Sequence, residues 1–113
     1  MATKANLVID QGTTYSTTLS LKDENGDILN LNGYYANSQI RKWYSSVSPT
    51  ATFVTSINTD EGTITLTLNS NTTSNIIAGR YVYDVELTEQ SSNAVSRIVE
   101  GIVTVTPQAT KWL

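Results

Sequence analysis

Apolar and polar residues alternate along most of the chain, and this period of two predicts β-strands with one buried face. The clearest run is "AGRYVYDVEL" (78–87), in which Tyr81, Tyr83, Val85 and Leu87 fall on one face. The opposite face is mostly charged. The run raises the question of whether its tyrosines and carboxylates only build a sheet or also form a site.

Similar runs recur at regular spacing, separated by turn signals such as Asn25-Gly26 and by a short helical turn within 70–79. Seven or eight short strands in this arrangement predict an all-β fold, a single immunoglobulin-like antiparallel β-sandwich. Pro107 lacks a backbone donor, so we expect the sandwich to span 1–107 and a carboxy-terminal tail to span 108–113. The predicted core residues are Leu19, Leu21, Ile40, Phe53, Ile64, Leu66, Val85, Leu87, Val103 and Val105.

Composition narrows the function classes. The chain has 113 residues, enough for one domain, and contains no cysteine and no histidine, the ligands that zinc, iron and copper sites prefer. Its net charge of −3 argues against a nucleic-acid partner. No apolar run approaches the roughly 20 residues that a membrane-spanning helix needs. We therefore expect no metal, no cofactor, no nucleic acid and no membrane.

The tyrosines have a structural interpretation. Immunoglobulin-like sandwiches often contain a tyrosine corner, in which an inward ring near the start of a strand bonds to upstream backbone. Tyr81 or Tyr83, just after Gly79, fits that description. Gly101 lies at an inward position of the last strand, where it would make room for one of the rings.

The carboxylates Asp84 and Glu86 lie two residues apart, so they share a strand face about 7 Å from each other. That spacing is near the one used by inverting glycosidases, but an exposed face offers no burial to raise the pKa of one carboxyl. Arg80 on the same face indicates ordinary charge patterning. We therefore predict that the protein is not an enzyme.

Two long stretches carry a family resemblance. The segment "IDQGTTYSTTLSLKDENGDILNLNGYYANSQIRK" resembles the opening of many structural domains of tailed phages, and "AGRYVYDVELTEQSSNAVSRIVEGIVTVTPQAT" is similar to their ending. Together the two stretches resemble the immunoglobulin-like structural proteins of tailed phages, such as the amino-terminal domain of baseplate upper proteins and small virion proteins of T4-like cyanophages. The residues that carry it are Gln11, Gly12, Tyr15, Gly33, Tyr34, Ile40, Arg41, Gly79, Tyr81, Tyr83, Asp84, Glu86, Arg97, Gly101, Val103, Val105 and Pro107.

The resemblance implies a virion component assembled in the host cytoplasm, with other virion proteins as partners in multiple symmetric copies. Since the sequence ends at residue 113, we expect the receptor-binding or fibre region of the baseplate relatives to be absent. That expectation favours a tail-, baseplate- or neck-associated structural role, with capsid decoration (head cement) as the alternative.

Exposed aromatic residues suggest where partners would bind. Trp112 and Leu113 at the tip of the tail, together with Trp43 and Tyr44, form the predicted partner interface, because tryptophan is enriched among interface hot spots. A second possibility from a different class is a carbohydrate- or receptor-binding module. Its aromatic platform would consist of Tyr34, Tyr35, Trp43 and Tyr44.

Overall fold

A computed structural model describes residues 3–23 and 25–110. Nine strands and one short helix follow the alternation predicted from the sequence, with strands ending at the polar turns. In chain order they are β1 (Thr3–Lys4), β2 (Leu7–Asp10), β3 (Tyr15–Ser20), β4 (Tyr34–Arg41), β5 (Ala51–Thr52), β6 (Val54–Asn58), β7 (Thr63–Leu68), α1 (Ser70–Ser74), β8 (Gly79–Glu89) and β9 (Val95–Thr106).

The strands form two sheets packed as a sandwich. The first sheet has the order β1-β9-β8-β4-β5, with β2 also pairing with β9, and the second has the order β3-β7-β6. The predicted all-β, immunoglobulin-like sandwich is therefore confirmed. Within the described residues, β1 and β2 hold the same register against β9, so they are one strand interrupted at Ala5 and Asn6, and the count becomes eight.

One edge of the sandwich departs from the predicted antiparallel arrangement. Both β1 and β2 run parallel to β9, so the first sheet is mixed. The physical reason is that the amino-terminal segment does not form a hairpin with β3, the next strand along the chain. The amino-terminal segment lies in the first sheet instead, beside β9, which runs in the same direction, whereas β3 belongs to the second sheet.

The core lies between the sheets and contains the inward residues of both. Eight of the ten predicted core residues are buried, whereas Leu19 and Leu21 are only partly buried against the core. These two belong to β3 and its continuation, which form one border of the second sheet. Burying a side chain of this kind contributes about 1.5–3 kcal/mol, so the border residues contribute less than the central ones.

One flank of the sandwich is closed by continuous chain. The chain changes sheets at Phe53, because β5 pairs with β4 in the first sheet while β6 pairs with β7 in the second. At the crossing, the Phe53 N–H donates to the Ser38 carbonyl at 2.9 Å, and the Thr55 hydroxyl donates to the Ala36 carbonyl at 2.9 Å. These bonds tie the two sheets together along this side.

The predicted helical turn is α1, which packs at one end of the sandwich. Asn69 caps it by accepting a hydrogen bond from the Thr72 N–H at 2.8 Å. The side chain of Thr73 is fully buried, and its hydroxyl donates to the Thr13 carbonyl at 2.7 Å. Across the described part of the chain, no helix has the length and apolar character needed to cross a membrane.

Candidate functional site

Tyr81 and Tyr83 both donate hydrogen bonds to upstream backbone from buried positions. The Tyr81 hydroxyl donates to the carbonyl of Ile77, four residues upstream, at 2.5 Å, which is the geometry of a tyrosine corner. The Tyr83 hydroxyl donates to the carbonyl of Ala5 at 2.6 Å and so reaches the amino-terminal segment. Both side chains therefore have structural roles.

Gly101 lies opposite Tyr83 in the β8–β9 pair. The group that occupies the space above it is the backbone of Ala5 rather than a tyrosine ring, because a methyl group built on Gly101 would overlap the Ala5 carbonyl oxygen. At the same place the Asn6 side chain accepts a hydrogen bond from the Ile102 N–H at 3.1 Å. The glycine thus lets the interrupted β1–β2 strand approach β9 closely.

Burial raises the pKa of the Tyr83 hydroxyl from its usual 10 to about 12, with a smaller contribution from the nearby Tyr15. Burial also raises the pKa of Tyr81 and of Tyr15. Since a phenol with a raised pKa keeps its proton, the Tyr81 and Tyr83 hydroxyls act as hydrogen-bond donors in the fold, and all three phenols are poorly suited to accept protons near neutral pH.

Asp84 and Glu86 lie on the outer face of the first sheet, as expected. The Arg97 Nε lies 3.2 Å from the Asp84 carboxylate, and the Arg97 guanidinium also lies 3.9 Å from the Glu100 carboxylate. Lys4 extends this row of charges, with its Nζ 3.7 Å from Glu100. The ion pairs are partly exposed to solvent, the arrangement of a charged sheet surface.

An open cleft of about 430 Å³ lies on the same face. Planar polar side chains line it, and Tyr44 stands at its margin. In β4, the Arg41 guanidinium donates to the Gln39 side-chain oxygen at 2.8 Å and to the Ser46 carbonyl at 2.7 Å. The residues lining the cleft include Asn37, Gln39, Arg41, Tyr44, Glu86 and Arg97.

The four aromatic residues proposed as one carbohydrate platform do not lie together. Tyr34 and Tyr35 begin β4, whereas Trp43 and Tyr44 follow its last residue. Eight extended residues separate the two pairs by about 25 Å. Tyr34 is also partly buried, with its hydroxyl donating to the Glu89 carboxylate at 3.3 Å. The platform prediction is therefore wrong because β4 is a single straight strand.

Trp43 and Tyr44 lie in the loop 42–50, 64% and 60% exposed, and Val47 in the same loop is 98% exposed. The Lys42 Nζ lies 5.5 Å from the Trp43 ring and 4.9 Å from the Tyr81 ring, within cation–π range. The loop is thus anchored at its start while its apolar side chains remain in solvent.

The tail leaves the sandwich at the same end as this loop. The Gln108 N–H donates to the Gln11 side-chain oxygen at 3.1 Å, and the Gln11 side chain donates to the Ile76 carbonyl at 2.8 Å. Trp112 and Leu113, the other half of the predicted interface, lie outside the described residues.

A second surface, which the sequence pattern did not suggest, lies on the flank opposite the crossing at Phe53. A slot of about 370 Å³ opens there between β1 in one sheet and β3 in the other. The slot is hard to predict from the sequence, because the partly buried leucines that line it alternate with polar residues in the same way as core leucines do. The slot is lined by Thr3, Ala5, Thr18, Leu19, Ser20, Leu21, Lys22, Leu29, Ile98 and Val99.

Over residues 3–23 and 25–110, acidic side chains do not gather into any group of three or more that would hold a metal ion. Every buried side-chain nitrogen or oxygen in that part of the chain has a hydrogen-bond partner. The polar groups that remain available for binding lie on surfaces.

Comparisons with known proteins support the fold and go no further. No family model matches the sequence, and no curated protein matches it. Among solved structures, the chain is similar to InlP of Listeria monocytogenes, with a TM-score of 0.52 and 20% sequence identity over 93% of this chain. The chain spans 28% of the length of that structure. At this identity the likeness supports the fold alone, an all-β sandwich compatible with the immunoglobulin-like architecture.

Proposed function

We propose that this chain is a non-enzymatic structural protein of a tailed-phage virion, associated with the tail, baseplate or neck, that binds neighbouring virion subunits. Capsid decoration is the alternative position in the particle. The proposal begins from the resemblance of two long stretches to phage structural domains.

Several residues that carry the resemblance occupy positions where the fold depends on them. Gly12 and Gly33 have φ angles of 83° and 82°, which other residues rarely adopt. Gly101 admits the Ala5 backbone, and Tyr83 bonds to the same carbonyl. A resemblance at turns and junctions supports a shared fold with those domains, and the shared fold makes a similar structural role reasonable.

The observation that carries partner binding is the exposed apolar loop. Trp43, Tyr44 and Val47 present three large side chains to solvent within five residues. Single exposed apolar residues are common, but a local group that includes tryptophan and tyrosine is typical of interfaces. The tail, with Trp112 and Leu113 at its tip, starts at the same end of the sandwich and would extend that surface.

The direct test is a mass-spectrometric count of this chain in purified heads and in purified tails of the phage that encodes it. We expect a fixed, symmetric copy number in tails or in the neck fraction. The same copy number in heads alone would select capsid decoration. Absence from every purified fraction, despite expression in infected cells, would contradict the proposal.

A second test addresses the interface. Trp43→Ala removes an exposed side chain, so the isolated protein should fold normally while its incorporation into particles falls. The matched control is Val95→Ala, which truncates another exposed apolar residue, paired with Thr88 at the other end of β8 from this loop. Normal incorporation of Trp43→Ala would show that the loop is not an interface.

The polar cleft supports carbohydrate binding as a second candidate function. Tyr44 stands beside amide and carboxylate groups in an open cleft, and such groups can bond sugar hydroxyls while an aromatic ring covers the sugar face. Glycan-array binding by the isolated protein, lost in Tyr44→Ala and retained in Tyr35→Ala, would support this candidate. No binding to the array would remove it.

A further inference from the structure

Strand β3 has a free hydrogen-bonding edge. The Leu21 N–H donates to the Gly62 carbonyl at 3.0 Å, and in the same register Leu19 pairs with Ile64. Backbone hydrogen-bonding groups alternate in direction along a strand. The N–H and C=O groups of the odd-numbered residues of β3 therefore point toward β7, and those of the even-numbered residues point away from it. Within residues 3–23 and 25–110, no strand pairs with β3 on that outer side. The backbone N–H and C=O groups of Ser16, Thr18 and Ser20 are therefore directed outward.

This edge lacks the features that usually prevent strand pairing. Proteins protect exposed edges with charged residues, proline or bulges. The residues of β3, "YSTTLS", include no charge, no proline and no glycine, and β3 pairs with β7 without a bulge. The side chains of Ser16, Thr18 and Ser20 on the outer face are small and uncharged. Another strand can therefore approach β3 without electrostatic or steric cost.

The apolar slot lies directly beside the free edge. Leu19 and Leu21 from β3 line it together with Leu29, Ile98 and Val99. Leu19, Leu21, Leu29 and Ile98 are only partly buried, so apolar area remains exposed between the two sheets. A strand added to β3 would cover this area with its inward side chains, in addition to completing the ladder of hydrogen bonds.

We infer that two copies of this chain pair antiparallel along β3 about a two-fold axis. A second copy fits because β3 is complementary to itself: in a register centred on Leu19, Thr18 of one copy faces Ser20 of the other, and Lys22 faces Ser16. No like charges stand opposite each other, and the two Leu19 side chains meet as a closely spaced pair. The inference rests on the proposed function, in which several copies lie side by side in one particle and β3 joins them.

A single edge contact is small compared with a stable dimer interface, so association should be weak and should depend on concentration. Sedimentation equilibrium between about 10 µM and 1 mM measures it for the full chain. We expect dimers at the upper end of this range. Amide hydrogen exchange at Thr18 and Ser20 should slow as the dimer fraction rises, while exchange at exposed loop amides stays constant.

The decisive variant is Thr18→Pro, which removes an outward N–H without removing a bond to β7. We expect it to weaken association at least about tenfold. The matched control is Thr18→Val, which retains the backbone donor. Both variants lose the hydrogen bond between the Thr18 and Thr65 hydroxyls, 3.0 Å apart, so that loss cannot explain a difference between them.

A charge exchange keeps the test independent of folding. Thr18→Lys with Ser20→Lys places like charges opposite each other across the two-fold axis, because Thr18 of one copy faces Ser20 of the other, and it changes only exposed positions. We expect this double variant to remain monomeric, and Thr18→Glu with Ser20→Glu to do the same. Mixing the two double variants should restore association as a heterodimer, because opposite charges then face each other.

Three results would overturn the inference: a monomer throughout the concentration range, dimers that Thr18→Pro leaves unchanged, or no association on mixing the charge variants. If another protein of the particle covers the β3 edge, the isolated chain stays monomeric, and this first result also overturns the inference. The count of this chain in heads and tails is a separate measurement. The chain can therefore prove to be a virion protein and still fail this test.

Discussion

The two flanks of the sandwich differ in how the sheets are joined. On one flank the chain passes from β5 to β6 without interruption, and Phe53 at the crossing is buried. On the other flank β1 and β3 belong to different sheets, and a slot remains between them. Covalent continuity closes the first flank, whereas hydrogen bonds and packing alone shape the second.

The same alternating sequence pattern contributes more stability on the closed flank than on the open one. Phe53 contacts both sheets through aromatic neighbours, with ring centroids 6.3 Å from Tyr15 and 6.2 Å from Tyr83. Leu19 alternates in the sequence as regularly as any core leucine but stays partly buried. The open flank should therefore tolerate change at lower cost.

The largest expected effect compares truncations in the interior and at the open flank. Leu66→Ala removes a fully buried side chain and leaves a cavity, which should lower the free energy of unfolding by about 2–5 kcal/mol. Leu19→Ala should cost about 1–2 kcal/mol, because part of that side chain is already in water. Urea unfolding of both variants measures the difference. Equal losses would show that the slot is closed in solution.

The next largest effect concerns the segment that borders the open flank. Gly101→Ala should push the Ala5 backbone away from β9, with an expected loss of about 1–3 kcal/mol from overpacking. Amides of the β1 segment should then exchange faster than those of β2. Gly26→Ala is the comparison, because Gly26 has a φ of 85° that disfavours alanine but no atom near its side-chain position, whereas Gly101 has close neighbours and no positive φ. If Gly101→Ala speeds exchange in β1 no more than Gly26→Ala does, the close approach of Ala5 to β9 does not control this segment.

A smaller effect should follow removal of one hydroxyl. Tyr83→Phe leaves the Ala5 carbonyl without its donor, at an expected cost of about 1–2 kcal/mol. The loss should be largest near neutral pH. Tyr35→Phe, which changes an exposed tyrosine, should have almost no effect. If Tyr83→Phe costs no more than Tyr35→Phe, this hydrogen bond does not hold the amino-terminal segment.

The same tyrosine should make the fold sensitive to alkaline pH. In the unfolded chain the Tyr83 phenol loses its proton near pH 10, while in the fold burial raises its pKa to about 12. The contribution of this phenol to the free energy of unfolding is therefore fully present below pH 10. It falls by about 1.4 kcal/mol per pH unit as the pH rises from 10 to 12. Tyr83→Phe should show a shallower decline in unfolding free energy between pH 10 and 12. Parallel declines would contradict the assignment.

The smallest effect is expected on the outer face, far from either flank. Asp84→Asn with Glu86→Gln disrupts a partly exposed ion pair with Arg97, and we expect less than about 1 kcal/mol of change. Thermal unfolding and incorporation into particles should be near those of the unmodified protein. Loss of a measured glycan- or peptide-cleaving activity in this variant would show that the pair forms an active site.

The strands were predictable from the sequence, because alternation and turn residues act locally. The inward positions of Ile64, Leu66 and Val85 follow from period two alone, and the turn at Asn25-Gly26 follows from backbone preference. The helical turn before β8 was also predictable, from the break in that alternation over 70–79. Each of these features depends on residues close together in the chain.

The tertiary structure alone decided which strands are neighbours, and therefore which surfaces are open. Alternation cannot show that β2 pairs with β9 in parallel, because the two segments lie far apart in the sequence. Nor can it show that the chain changes sheets at Phe53. Pairing between distant segments depends on the packing of the whole core, as in the bond from Tyr83 to Ala5, and it leaves Leu19 at an edge rather than in the interior.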